Sequence, residues 1–447
     1  MKNFLFYIGC FSKEIMNFKL YLFGISILIL NQTKMNRFIT CFCLLLLYNS
    51  LAAQTKKAIY IIIDGVSADV IEKSDLPNLD AIKKTGGYTK AIAGGEKGGY
   101  TQTPTISAVG YNSILTGTWV NKHNVWDNDI KDPNYHYPTI FRLLKQQSPQ
   151  KKIGIFSSWQ DNRTKLVGDG LKETGNINFD YHFDGLELDT INYPHDDNSD
   201  YMHRIDEKVS EEAAQNVLTH APDLSWVYLE YTDDMGHRYG DSPEYYKAIE
   251  YADEQVGRIW KAVQLREQNY NEDWLIIVTT DHGRDAKTGR DHGGQSDRER
   301  AGWIVTNAKD LNSHFNDGDV SQVDIMPTIA RFLGVNIPKI TLREIDGIPL
   351  IGALSITDPK ISYENGNATV TWNAVNKEGM VKIFVTPSNN YKTGGVDNYT
   401  LVKQVPVKSQ KAVIDLQKMP SSFYKIVLEG KWNTVNRWII DDSKKSE

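Results

Sequence analysis

Cysteine is almost absent from this sequence: there are three in 447 residues, Cys10, Cys41 and Cys43, all within the first 53 positions. Everything after them must fold without disulfides, and any metal centre there must use oxygen and imidazole ligands rather than thiolates. Long apolar runs are missing as well. The strongest, Phe38 to Tyr48, is shorter than the roughly 20 residues a membrane-spanning helix needs. It follows Arg37 and precedes the small residues Ala52 and Ala53, which is the order of a secretory signal peptide. Residues 1–53 are therefore expected to be a leader, with the mature chain starting near Gln54, exported to the periplasm or outside the cell and without a transmembrane segment. Residues 1–34, ahead of Met35, carry another short apolar stretch, Leu20 to Leu30, and read as an upstream start. Positive charge is also scarce. Of 50 basic and 56 acidic residues, five and one fall in the leader, leaving a formal charge near −10, which argues against duplex nucleic acid as a standing partner.

What remains, 40% hydrophobic and 24% charged, suffices for one large α/β domain and a smaller one. Ala58–Ile63, Lys152–Ser157, Trp226–Tyr231, Trp274–Thr279 and Trp303–Thr306 are short, mostly apolar runs of the kind that form buried parallel strands. Between them, Leu76–Ile82, the run after Ser107, Thr139–Gln146, Tyr201–Leu218, Glu244–Gln264 and Asp324–Leu333 read as helices, and Ala91–Gly99 as a glycine-rich connection. The alternation predicts a doubly wound, mostly parallel sheet flanked by helices over residues 54–353. Residues 159–199 have little periodicity and read as an insertion over the face of the sheet that shapes a pocket. From about 354 to 447 the texture changes to short alternating strands, Ala368–Trp372, Val381–Val385, Tyr399–Val405, Ala412–Leu416 and Phe423–Leu428, the pattern of a small fibronectin-like or immunoglobulin-like sandwich. No ionisable cluster is evident in it, and it reads as a packing or binding module.

Four short clusters carry chemistry: Asp64; Asp233 with His237; Asp281-His282-Gly283; and Asp291-His292-Gly293. Three of them follow predicted strands, where α/β sheets place their ligands. Asp and His are the zinc ligands open to a cysteine-free chain, and Asp233 and His237, four apart, can face one ion from a turn or a helix. Ser107, at a predicted helix start, lies among unpaired backbone N–H groups and is a candidate nucleophile; as a lone serine it would read as an N-cap.

Taken in order, strand Asp, Ser, Asp-x-x-x-His, Asp-His-Gly and His-Gly, the pattern resembles the alkaline phosphatase superfamily, most closely its type I phosphodiesterase / nucleotide pyrophosphatase branch, over roughly Lys57 to Gly352. Gly117 stands ten residues after Ser107, and His123-Asn-Val-Trp-Asp127-Asn128 places Asn128 twenty-one after it, as in that branch. The resemblance implies two zinc ions, one held by Asp64, Ser107, Asp281 and His282 and the other by Asp233, His237 and His292. It also implies that Asn128 binds a phosphate oxygen and that hydrolysis of a phosphoric ester proceeds through a phosphoserine. The branch commonly has threonine as nucleophile and asparagine three residues later, where this chain has Ser107 and Gly110. Ser107-Ala-Val-Gly lacks the x-Pro-x-Arg that sulfatases require.

A small phosphate ester, such as a nucleotide or a glycan-linked phosphate, is the expected partner, with Trp126, Trp159, Arg163 and Lys165 as candidate substrate contacts and monomer or dimer left open. A phosphomonoesterase or phosphonate hydrolase of the same superfamily, and a silent binding protein on the same fold, are the alternatives. His123 and His314, with the other histidines outside the motif, are expected at the surface or behind the ligands.

Overall fold

A computed structural model describes residues 53–441; the expected leader, apart from Ala53, lies outside them. Among the described residues no helix is long and apolar enough to cross a membrane.

The β-branched run after Gln54 forms strand β1 (Thr55–Ile63), whose last seven residues are buried. It lies inside a seven-stranded sheet completed by β2 (Gly87–Ile92), β3 (Ile153–Ser157), β4 (Tyr181–Phe183), β5 (Leu224–Leu229), β6 (Glu272–Thr279) and β7 (Ala301–Thr306), in the order β2-β7-β6-β1-β5-β3-β4. β1 pairs in parallel with β5, β5 with β3 and β3 with β4, while β7 runs antiparallel to both β6 and β2, so the sheet is mixed. Tyr60 and Ile62 join one apolar layer and Ile59, Ile61 and Ile63 the other, as the two-residue period of a strand covered on both faces requires.

Among the helices are α1 (Pro77–Thr85), α2 (Ser107–Thr116), α3 (Val120–His123), α4 (Ile140–Gln147), α5 (Asp200–Thr219), α6 (Tyr231–Tyr239), α7 (Pro243–Asn269) and α8 (Ile325–Leu333). All ten residues of α2 are buried, and it stops at Gly117, left-handed at φ 65°. Several expectations need correcting. The expected strand through Tyr231 ends at Leu229, because Tyr231 opens α6 instead. Ala91 and Ile92, expected in a loop, pair with Gly302 and Ala301 as the end of β2. The insertion at 159–199 is not wholly irregular, since it supplies β4 at the sheet edge. His123 is not superficial but fully buried, its Nε2 3.1 Å from Ser113 Oγ, and buried His314 lies 3.0 Å from Asp324.

Seven C-terminal strands, β8 (Ile356–Glu364), β9 (Asn367–Ala374), β10 (Met380–Thr386), β11 (Thr400–Pro406), β12 (Lys411–Asp415), β13 (Phe423–Glu429) and β14 (Thr434–Ile440), form a three-stranded sheet, β12-β9-β8, and a four-stranded one, β11-β10-β13-β14. Val370, Trp372, Ile383, Ile414 and Ile426 fill the space between them. Tyr424 donates its hydroxyl to the carbonyl of Met419, five residues upstream, in the manner of the tyrosine corner of such sandwiches. β8 and β14 were not expected; β8 is disguised by Asp358-Pro359 at a register shift, where a proline can sit because no ladder bond is lost.

The absence of an ionisable cluster is also overturned. Lys425, on the outer face of β13 and 1% exposed, bonds Asp397 at 2.8 Å and Glu344 at 2.7 Å. Lys122, fully buried in α3, bonds Asp346 and the Glu344 carbonyl at 2.6 Å and Asn436 of β14 at 3.1 Å. Two buried ammonium groups thus hold the 344–346 segment, one from the sandwich and one from the segment after α2.

Candidate metal centre

β1 delivers Asp64, α6 carries Asp233 and His237 on one face, the turn after β6 delivers Asp281 and His282, and a following loop brings His292. All but His237 fall into groups whose ligand atoms lie within 4.8 Å of one another, and His282 meets the first turn of α2. Ser107 is the first residue of that helix rather than its N-cap, which is Ile106, and its Oγ lies 3.4 Å from His282 Nε2. Asn128 accepts the backbone N–H of Ala108 at 3.0 Å, which sets its exposed amide beside Ser107.

Each buried carboxylate has one oxygen held and one presented. Asp64 Oδ2 accepts the hydroxyls of Tyr111 and Tyr228, the latter at 2.7 Å, while its Oδ1 is buried without a hydrogen bond and 3.4 Å from His282 Nε2. Asp281 Oδ1 accepts the Gly65 N–H at 3.1 Å, while its Oδ2 is equally unpartnered, 3.2 Å from the same nitrogen. Buried unpaired carboxylate oxygens are costly, and two of them turned toward one imidazole nitrogen fit a divalent cation. Asp64, Asp281 and His282 form one group able to hold a metal, and Asp233, His282 and His292 another. His237 adjoins the second, its Nε2 3.0 Å from His292 Nε2 and 3.1 Å from Asp233 Oδ2. His282 and His292 turn their Nδ1 atoms to the carbonyls of Gly283 and Thr105, at 3.0 and 2.8 Å, which leaves Nε2 for a ligand bond.

The electrostatics describe a site short of positive charge. Burial, with Asp281 and Asp233 nearby, pushes the Asp64 carboxyl well above its usual range. Burial and Asp233 raise Asp281 to about 7. Burial opposes ionisation of Asp233, but the His237 hydrogen bond and the Arg284 charge outweigh it and hold the carboxyl well below the usual range. The same hydrogen bond raises His237, and burial lowers His282 and His292.

The four candidate substrate contacts fare differently. Trp126 is half exposed and donates its indole N–H to Asn124. Trp159 is half-buried, edge-on to Tyr111 at 6.4 Å. Arg163 is committed elsewhere, paired with Asp184 at 2.6 and 2.9 Å and with Asp169 at 2.7 Å, and Lys165 pairs with Asp161 at 2.7 Å. The Arg163 pairs are largely buried, whereas Lys165 is half exposed in a surface pair. Sequence reasoning missed Tyr111, Tyr228 and Arg284, although Tyr111 follows Gly110 after Ser107 and Arg284 follows Asp-His-Gly. A cavity of about 560 Å³ between the Ile92–Thr101 segment and the sandwich is lined by none of the clustered residues.

Residues 58–297 match the model of the type I phosphodiesterase / nucleotide pyrophosphatase family. Curated relatives include a venom phosphodiesterase of Crotalus durissus collilineatus, 25% identical over 237 residues, or 49% of this chain and 25% of the relative. Human ectonucleotide pyrophosphatase/phosphodiesterase family member 1 is 25% identical over 240 residues, 52% of this chain and 24% of that protein. The chain thus spans about a quarter of the length of these relatives. Among solved structures, murine ectonucleotide pyrophosphatase/phosphodiesterase 5, an inactive form in complex with AMP, aligns with a TM-score of 0.44 at 14% identity, covering 63% of this chain and 96% of that one. With residues 58–297 of 447 inside the family model, the chain belongs to the type I phosphodiesterase / nucleotide pyrophosphatase family.

Proposed function

We propose that the protein is an exported two-zinc phosphodiesterase that works through a covalent ester on Ser107, with Asp64, Ser107, Asp281 and His282 around one ion and Asp233, His237 and His292 around the other. The observation that carries this reading is the pair of orphaned oxygens, Asp64 Oδ1 and Asp281 Oδ2, beside a serine that opens a ten-residue buried helix. Divalent ions bound there would acidify the serine hydroxyl and neutralise charge on the phosphoryl and leaving oxygens.

The chain's own groups do the rest. Ser107 Oγ attacks phosphorus as the bond to the leaving oxygen breaks, and water then cleaves the seryl ester, releasing the monoester and restoring the hydroxyl. The N-terminus of α2 favours an anion through its free N–H groups and dipole. Asn128, anchored on the second residue of that helix, is placed to donate to a nonbridging oxygen. Arg163, held by Asp184 and Asp169, does not meet the extra charge of a monoester, which favours diesters; the substrate is a small phosphate ester of a nucleotide or glycan kind. Export rests on the leader pattern of residues 35–53, and residues 54–353 and 354–447 are proposed as the catalytic and sandwich domains.

The test is hydrolysis of a bis-aryl phosphate by the purified protein before chelation, after it, and after zinc is restored. Activity lost and regained supports the reading. A protein that binds two zinc ions and hydrolyses neither diester, monoester nor phosphonate would instead be a binding protein.

A further inference from the structure

Arg284 is fully buried and touches three of the segments that carry the candidate ligands. Its Nη1 donates to Asp233 Oδ1 at 2.5 Å, its Nε to the Gly289 carbonyl at 2.6 Å and its Nη2 to the Arg290 carbonyl at 2.8 Å. One planar guanidinium therefore ties α6, which bears Asp233 and His237, to the loop that ends in His292, two residues past Arg290. Its Nη1 also lies 3.5 Å from the carbonyl of Gly65, the residue after Asp64. Space for it is cleared at two distant points of the chain. A Cβ on Gly236 would lie 2.4 Å from the guanidinium carbon, and one on Gly65 would lie 2.6 Å from Nη1 and 2.3 Å from Asp233 Oδ1.

The arrangement also limits Asp233. Oδ1, which accepts from Arg284, is the oxygen on the His292 side, 3.8 Å from its Nε2, and Oδ2 faces His237 at 3.1 Å, so Arg284 fixes which carboxylate oxygen meets which histidine. A lysine cannot reproduce this, because a single ammonium point cannot reach three acceptors in one plane.

We infer that Arg284 is a positioning residue for the Asp233–His237–His292 metal site: it fixes the orientation of the Asp233 carboxylate and holds the His292 loop against α6. This rests on the two-metal reading above. The partners behind a metal ligand commonly account for 10–100-fold in affinity, and here the effect should fall on one site of two, since the Asp64–Asp281–His282 group is held by Tyr111, Tyr228 and the Gly65 N–H instead.

The experiment is zinc titration of chelator-stripped wild type, Arg284→Lys and Arg284→Met against a chromophoric competitor, with circular dichroism to check the fold. The wild type should show two sites, and each variant one site of wild-type affinity and one weakened about 10–100-fold. If Arg284→Met fails to fold, Arg284→Lys, which keeps the charge, carries the test. Two sites of unchanged affinity in the folded variants, or equal weakening of both sites, would overturn the inference while leaving the two-metal reading intact. Fewer than two sites in the wild type would overturn both.

Discussion

Gly110 and Asp281 pack so closely that a Cβ on the glycine would lie 2.8 Å from the aspartate's carbonyl oxygen and 2.9 Å from its own Cβ. This accounts for the glycine where the family resemblance has asparagine: α2 approaches the turn after β6 closely enough that no side chain fits between them. Gly110→Ala should therefore displace Asp281 despite the ordinary gain of about 0.5–1 kcal/mol from alanine in a helix. Loss of bound zinc and a lowered Tm are the expected results. A variant with full metal content and unchanged Tm would show that the contact is slack.

Zinc affinity is expected to fall as pH drops through about 7. His237 and Asp64 both have raised pKa values, and Asp281 is raised to about 7, so below that pH protons occupy groups that must be free to bind an ion. The metal-free protein should behave in the opposite sense. A carboxyl raised from 3.8 to about 7 in the folded state binds more protons folded than unfolded, so stability present below pH 4 is lost as pH rises toward 7. Tm measured across this range with and without zinc checks both. A metal-free Tm whose pH dependence between 4 and 7 is unchanged by Asp281→Asn would go against the assignment of Asp281.

Lys122 and Lys425 tie β14 and β13 to the 344–346 segment. Removing one member of a buried charge pair leaves its partner uncompensated, at a cost of about 3–5 kcal/mol. Lys122→Met and Lys425→Met should each lower the denaturation midpoint accordingly. An effect below about 1 kcal/mol in both would show the sandwich to be loosely attached.

Diesters should be hydrolysed at least about tenfold faster than matching monoesters in kcat/KM, roughly 1.4 kcal/mol of transition-state preference. Arg163→Ala should leave that ratio unchanged and instead lower stability, since buried Asp184 loses its partner. A monoester preference that vanishes in Arg163→Ala would return the arginine to the substrate site.

The candidate ligands other than His292 stood out in the sequence because they follow apolar runs and because Asp233 and His237 are spaced for one helical face. The groups that orient them were not. Tyr111, Tyr228 and Arg284 reach their carboxylates across 47, 164 and 51 residues, contacts that no local spacing encodes. Strand β4 was hidden by its three-residue length, and β8 by a proline at a bulge. Lys425 looked like any outward-facing strand residue, and only its packing against Glu344 and Asp397, far off in sequence, buries it.

The claim that Ser107 is the nucleophile is tested most directly by the stereochemical course at phosphorus, using a diester made chiral there by oxygen isotopes or sulfur. Two in-line displacements, one by Ser107 and one by water, give net retention, and Ser107→Ala should abolish turnover while leaving bound zinc in place. Net inversion would mean that water attacks phosphorus directly, and would contradict the account.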